Sequence, residues 1–174
     1  MKTLIIVSHP YKEQSSIIKA LQQTAEAQDN VEVRNLETLY GNNISGFDIS
    51  REQASYNGVD RVVFIYPIHW FNLTPMLKAY LNEVWTYGWA FGPEGDALKD
   101  KELLVVTSAG ASEHTYSHQG LIQSTIGEVL TPMKATALYV GMKYLEPVSF
   151  HNVMGADGEK IAEFQDVLSD RLKL

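Results

Sequence analysis

A chain of 174 residues, 45% of them hydrophobic, is long enough to bury a core without covalent staples, and one α/β-sized domain over residues 1–174 accounts for it. The absence of Cys excludes disulfides, thiolate nucleophiles and Cys-based zinc sites, so any redox chemistry must be carried by a bound cofactor. Fourteen Lys and Arg against twenty-one Asp and Glu give a net charge of −7 with no basic block, which argues against nucleic acid as the partner.

The N-terminal MKTLIIVSHP has a short apolar run, too short to span a membrane and without a small-residue cleavage site; it predicts a first strand at 3–8 in a cytoplasmic protein. A helix is expected over 16–28, where Ile17, Leu21 and Ala25 share a stripe and Ser15 or Ser16 can cap the start. A second strand at 31–36 precedes a polar surface loop at 41–50. The run RVVFIYP predicts a third strand at 61–67. Thr74 and Pro75 then supply an N-cap and a first-turn proline for a helix over 74–86, with Leu77, Leu81 and Val84 on its apolar face. KELLVVTSAG predicts a fourth strand at 101–110, and Ile122, Ile126, Val129 and Leu130 a helix over 121–131, ended or kinked by Pro132. A weaker fifth strand is expected at 135–141 (ATALYVG), and a last helix over 157–172.

Strands alternating with helices predict a parallel sheet covered on both faces. Five such strands suit a flavodoxin-like three-layer sandwich with order 2-1-3-4-5, whose ligand crevice lies beyond the carboxyl ends of the strands. Three loops would meet there. The first, SHPYKEQSSI, ends on two serines opening a helix, where free amides and the helix dipole favour a phosphate; simple capping explains them equally well. Neither a G-x-G-x-x-G nor a G-x-x-x-x-G-K-[ST] motif is present. The second, PIHWFNLTP, places His69, Trp70 and Phe71 at the switch point, as wall of a planar ligand or as packing. The third, TSAG followed by EHTYSHQG, brings small residues that admit a close ligand, then His114, Tyr116 and His118. The two histidines are spaced i, i+4, but without H-E-x-x-H and on a loop, so no metal is expected.

Together SHPY with its downstream serines, YPIHWFNLTPMLKAYLNEVWTYGWAFG, TSAG, YSHQG and GMKYLEP resemble the NAD(P)H:quinone oxidoreductase family of flavodoxin-like flavoproteins, over nearly the whole chain. The resemblance is nearest to short bacterial members such as the ancillary oxidoreductases of glutathione-gated potassium efflux systems. It implies bound FMN, with FAD possible, and NAD(P)H as co-substrate. FMN is preferred because the C-terminal extension of the longer, FAD-binding members is absent from this sequence. By motif position His9, Ser15, Ser16, Ile17 and Ile18 would surround the phosphate, Ile68, His69, Trp70 and Phe71 would border the isoalloxazine, and Thr107, Ser108, Ala109 and Gly110 would hold its pyrimidine edge. Tyr116 and His118 would meet the substrate. One departure concerns the proton donor: Ile122 stands where longer members carry a His, and His114 or His118 replaces it only if the loop turns one inward. The implied activity is two-electron, ping-pong reduction of a quinone-like acceptor by a homodimer to which VWTYGWAFG contributes. The alternatives are a regulatory subunit of a membrane antiporter and a flavodoxin-type electron carrier.

Overall fold

In the computed structural model, which describes residues 1–173, a sheet of parallel strands carries helices on both faces. Strand β1 (Thr3–Val7) is flanked by β2 (Val31–Asn35) and β3 (Arg61–Pro67). Beyond β3 lies β4 (Glu102–Ser108), whose outer edge is shared by β5 (Lys143–Tyr144) and β6 (Val148–Phe150). The order β2-β1-β3-β4-β5 is the expected one, with the fifth position divided between two short strands.

The central strands are buried on both faces, as continuous apolar runs require. Leu4, Ile6, Phe64, Leu103 and Val105 face one core with α4 (Pro75–Val84). Their neighbours Ile5, Val7, Val63, Ile65, Leu104 and Val106 face the other, with α1 (Ser16–Glu26) and α7 (Gly158–Lys173). Much of the aromatic run is packing: Tyr80 and Trp85 are buried, and the Trp85 indole donates to the Tyr56 hydroxyl, itself 3.0 Å from that of Tyr80. Thr74 caps α4 by accepting from the Leu77 amide, and its hydroxyl lies 2.5 Å from that of Ser8 at the end of β1. The start of α4 is thereby tied to the end of β1.

Three expectations fail locally. Residues 135–141 are not a strand but mostly α6 (Thr131–Tyr139), which Pro132 opens rather than breaks, because a first-turn proline has no intrahelical donor to lose. The helix expected over 121–131 contracts to α5 (Ile126–Val129), bounded by a Thr125–Glu128 capping box. The loop at 41–50 lies between α2 (Leu36–Tyr40) and α3 (Ile49–Ala54), and α3 takes its last residues, capped by Asp48. Because the edge strand is β6, the chain leaves the sheet at Phe150, and the segment after it reaches the ligand side.

Candidate active site

The registers Val7 with Ile65, Pro67 with Ser108 and Ser108 with Phe150 bring the carboxyl ends of β1, β3, β4 and β6 to one edge. Four loops meet there around a cleft of about 610 Å³. That size suits a small-molecule ligand.

From the first loop, His9 and Ser15 to Ile17 line the cleft. The His9 Nδ1 accepts the Tyr11 amide at 2.9 Å, which leaves Nε2–H as the donor of the neutral ring. Burial, and then the neighbouring His69, lower its pKa from 6.5 to about 4. Since the unfolded chain takes up this proton near 6.5 and the folded chain only near 4, His9 subtracts from stability as pH falls through that window. The His9 ring signals of the flavin-free protein should therefore hold still in an NMR titration from pH 8 to 5; a midpoint near 6.5 would show an open ring. At the start of α1, the Ser15 hydroxyl accepts the Ile18 amide at 3.1 Å. Among the described residues the amides of Ser16 and Ile17 meet no acceptor, so the helix start presents two free donors beside the Ser16 hydroxyl.

The second loop is a tight turn in which His69 and Asn72 exchange amide hydrogen bonds, at 3.4 and 3.0 Å. Trp70 and Phe71 occupy its centre with φ of 47° and 60°. Left-handed geometry costs a bulky residue about 1 kcal/mol or more, and such strain concentrates at ligand sites. It leaves the amides of Trp70 and Phe71 without acceptors among the described residues, and Trp70 as a whole 94% exposed. Here the rings serve a surface rather than a core.

In the third loop most polar groups are already engaged. The Thr107 hydroxyl donates to the Tyr66 carbonyl, the Ser108 carbonyl accepts from Ile68, and the Ala109 amide donates to the Phe150 carbonyl, each at 2.8 Å. Ser108 and Gly110 line the cleft, and a Cβ on Gly110 would come within 3.0 Å of the Met154 side chain. Tyr116, on a short turn at His114–Tyr116, is buried edge-on to Phe71, ring centres 6.2 Å apart; burial raises its hydroxyl pKa.

Of the residues singled out from sequence, the structure thus assembles His9, Ser15, Ser16, Ile17, Ile68, His69, Ser108 and Gly110 around the cleft, with Phe71 and Tyr116 as a neighbouring ring pair. It does not bring His118 there: the imidazole is exposed and lies 2.9 Å from the Glu128 carboxylate of the α5 cap. The Ile18 side chain is core, and Thr107 and Ala109 stand behind the wall. The sequence reading missed Val153, Met154 and Gly155, which line the cleft, and His151, whose ring lies 5.4 Å from that of Tyr116. The signal was VSF, a β-branched and aromatic run between Pro147 and Asn152.

A family model described as a flavodoxin-like fold matches residues 1–172. The chain is 36% identical over 163 residues to the uncharacterized NAD(P)H oxidoreductase YdeQ of Bacillus subtilis, covering 94% of this chain and 82% of that one. It is 35% identical over 162 residues to the glutathione-regulated potassium-efflux system ancillary protein KefF of Salmonella typhimurium, covering 91% and 88%. Among solved structures, general stress protein 14 of Treponema denticola in complex with FMN superposes with a TM-score of 0.88 at 34% identity, covering 99% and 97%. A protein described as an NADPH-quinone reductase from P. pentosaceus gives 0.87 at 26%, covering 98% and 97%. One described as a thermophilic tryptophan halogenase from Streptomycin violaceusniger gives 0.92 at 34%, covering 97% of each chain. Differently described activities on one fold mean that the reaction has to be argued from the site.

Proposed function

The chain belongs to the flavodoxin-like fold family, and we propose that it is an FMN-dependent NAD(P)H oxidoreductase that reduces quinones or similar acceptors two electrons at a time. The observation that carries this is the pairing, at one cleft, of a helix start with free amides and a strained turn that begins at the cleft-lining His69 and whose next two amides are also free. A phosphate at the first set of donors and a flat polar-edged ring at the second suit their chemistry. The FMN-bound Treponema relative and the NAD(P)H oxidoreductase relative support the same assignment.

FMN, when bound, supplies the hydride relay between nicotinamide and acceptor. The Ser16 and Ile17 amides, the Ser16 hydroxyl and His9 Nε2–H hold the phosphate, although the cleft lining contributes no Lys or Arg. The Trp70 and Phe71 amides address the polar edge of the ring. The Tyr116 hydroxyl donates a hydrogen bond to the acceptor oxygen as negative charge develops on it.

The direct test is spectroscopic. Purified protein should bind FMN, bleach on anaerobic addition of NADPH and recover its colour when a benzoquinone is added. A chain that stays colourless with added FMN or FAD contradicts the assignment.

Tyr87, Leu138 and Tyr139 are exposed, and Phe91 links the two tyrosine rings at 5.8 and 5.9 Å. Such a patch supports a homodimer, and sedimentation at the single-chain mass would count against one. The KefF relative favours a second role as regulator of a potassium antiporter. Among the described residues no helix is long and apolar enough to cross a membrane, so that role requires docking to a separate transporter. Failure to co-purify with one would remove it.

A further inference from the structure

The His151 ring stands at an unusual junction. It follows β6 directly, immediately before the cleft-lining segment Val153 to Gly155, and packs against Tyr116 with ring centres 5.4 Å apart and planes at 58°. Its Nε2 lies 3.2 Å from the Ser149 hydroxyl oxygen. Its Nδ1 is buried and meets no hydrogen-bond partner among the described residues. The ring packed against it, Tyr116, carries a hydroxyl that makes no hydrogen bond among the described residues and so is free to take a partner.

Buried polar atoms are normally paired, because a lost partner costs about 1–3 kcal/mol. The less costly tautomer carries its proton on Nε2, donated to Ser149, and leaves Nδ1 as a bare acceptor rather than an unpaired N–H. Nδ1 makes no hydrogen bond to the Tyr116 hydroxyl in this structure, but the two rings touch, so a bridging water lets this acceptor exchange a proton with the phenol.

We propose that His151 is the positioning residue and proton relay for Tyr116 in acceptor reduction. This rests on the oxidoreductase assignment above. Reduction of a quinone needs the hydride electron pair from NAD(P)H and one further proton. As the acceptor oxygen gains charge, the Tyr116 O–H bond breaks and the acceptor O–H bond forms. His151 Nδ1, the free acceptor, takes a proton from water and delivers it to the Tyr116 oxygen, which restores the phenol and returns the imidazole to its Nε2–H tautomer. Ser149 keeps the ring oriented throughout by holding Nε2–H.

The test uses the full chain loaded with FMN and separates the half-reactions by stopped flow. His151→Phe keeps the ring and removes both nitrogens; His151→Asn is the second variant should the first not fold. Both should bind FMN and be reduced by NADPH within about threefold of wild type. Reoxidation by a benzoquinone should slow by about 10²-fold or more, the scale of a lost proton-transfer group. Tyr116→Phe should slow the same step, and the double variant should be no slower than the worse single one, as expected for a shared route.

A readout independent of turnover is the nitrogen NMR spectrum of flavin-free protein. It should show the Nε2–H tautomer of His151, with an Nδ1 shift that moves in Tyr116→Phe. Unchanged reoxidation in the His151 variants, or equal slowing of both half-reactions, overturns the relay and leaves Nδ1 with a buried water or a packing role. A wild-type chain that binds no FMN overturns the oxidoreductase assignment itself, which is a distinguishable result.

Discussion

Replacing Glu52 by Gln is expected to lower the unfolding free energy by about 3 kcal/mol, read as a shifted denaturation midpoint with an unchanged slope. Glu52 is fully buried on α3 and receives the Arg34 guanidinium from β2 in a two-point contact, one arm of it at 2.8 Å, together with the Tyr40 hydroxyl. Neutralising the carboxylate strands a positive charge that is itself 8% exposed, and breaking a buried pair costs about 3–5 kcal/mol. The value falls at the low end because Glu32 remains 3.5 Å from the guanidinium. Against a total stability of about 5–15 kcal/mol this is a large loss. The double replacement Arg34→Met with Glu52→Leu should recover most of it, since apolar residues of similar volume leave no charge uncompensated. Equal destabilisation in single and double variants would mean that packing, not charge, holds α3 to the sheet.

Ser16→Asp is expected to act on binding and on stability in opposite directions. A carboxylate in the first turn of α1 complements the helix dipole and should stabilise the flavin-free fold by about 0.3–1 kcal/mol. The same charge sits where the phosphate of FMN is proposed to lie. Two unit charges about 4 Å apart near a protein surface repel by about 4 kcal/mol, enough to weaken FMN binding by about 10²-fold or more. Ser16→Ala should cost only a few-fold, as it removes one neutral donor among several. Riboflavin, which has no phosphate, provides the control: its affinity should be the same in wild type and Ser16→Asp. A parallel loss for both ligands would place the phosphate elsewhere and leave Ser16 as part of the general cleft wall.

How far such a site can be foreseen depends on which interactions leave a local trace. TLIIVS, RVVFIYP and LLVVTS announce strands buried on both faces because their apolar character is unbroken, and Thr74-Pro75 announces a helix start because both residues are used for their own backbone chemistry. The edge of the sheet leaves no comparable mark. β5 has two residues and β6 three, too few to establish a period, whereas ATALYV has enough apolar residues to be mistaken for a strand when Pro132 is taken as a stop. That displacement hid the fourth loop, and with it His151 and Met154. The left-handed turn at Trp70 and Phe71 was equally invisible, since neither residue favours it; tertiary structure imposes it. His118 fails for another reason: its partner Glu128 belongs to a capping box ten residues on, whose Thr-x-x-Glu pattern was readable but whose grasp of the imidazole was not.

The most direct measurement is a crystal structure of the chain with FMN. The phosphate is expected within hydrogen-bond distance of the Ser16 and Ile17 amides, and the flat ring against the Trp70 and Phe71 amides, in the cleft bordered by Met154. FMN seated instead in the outer hollow of about 240 Å³ lined by Lys12, Lys19 and Gln22, or a cleft filled by the Met154 side chain with no ligand bound, would contradict it.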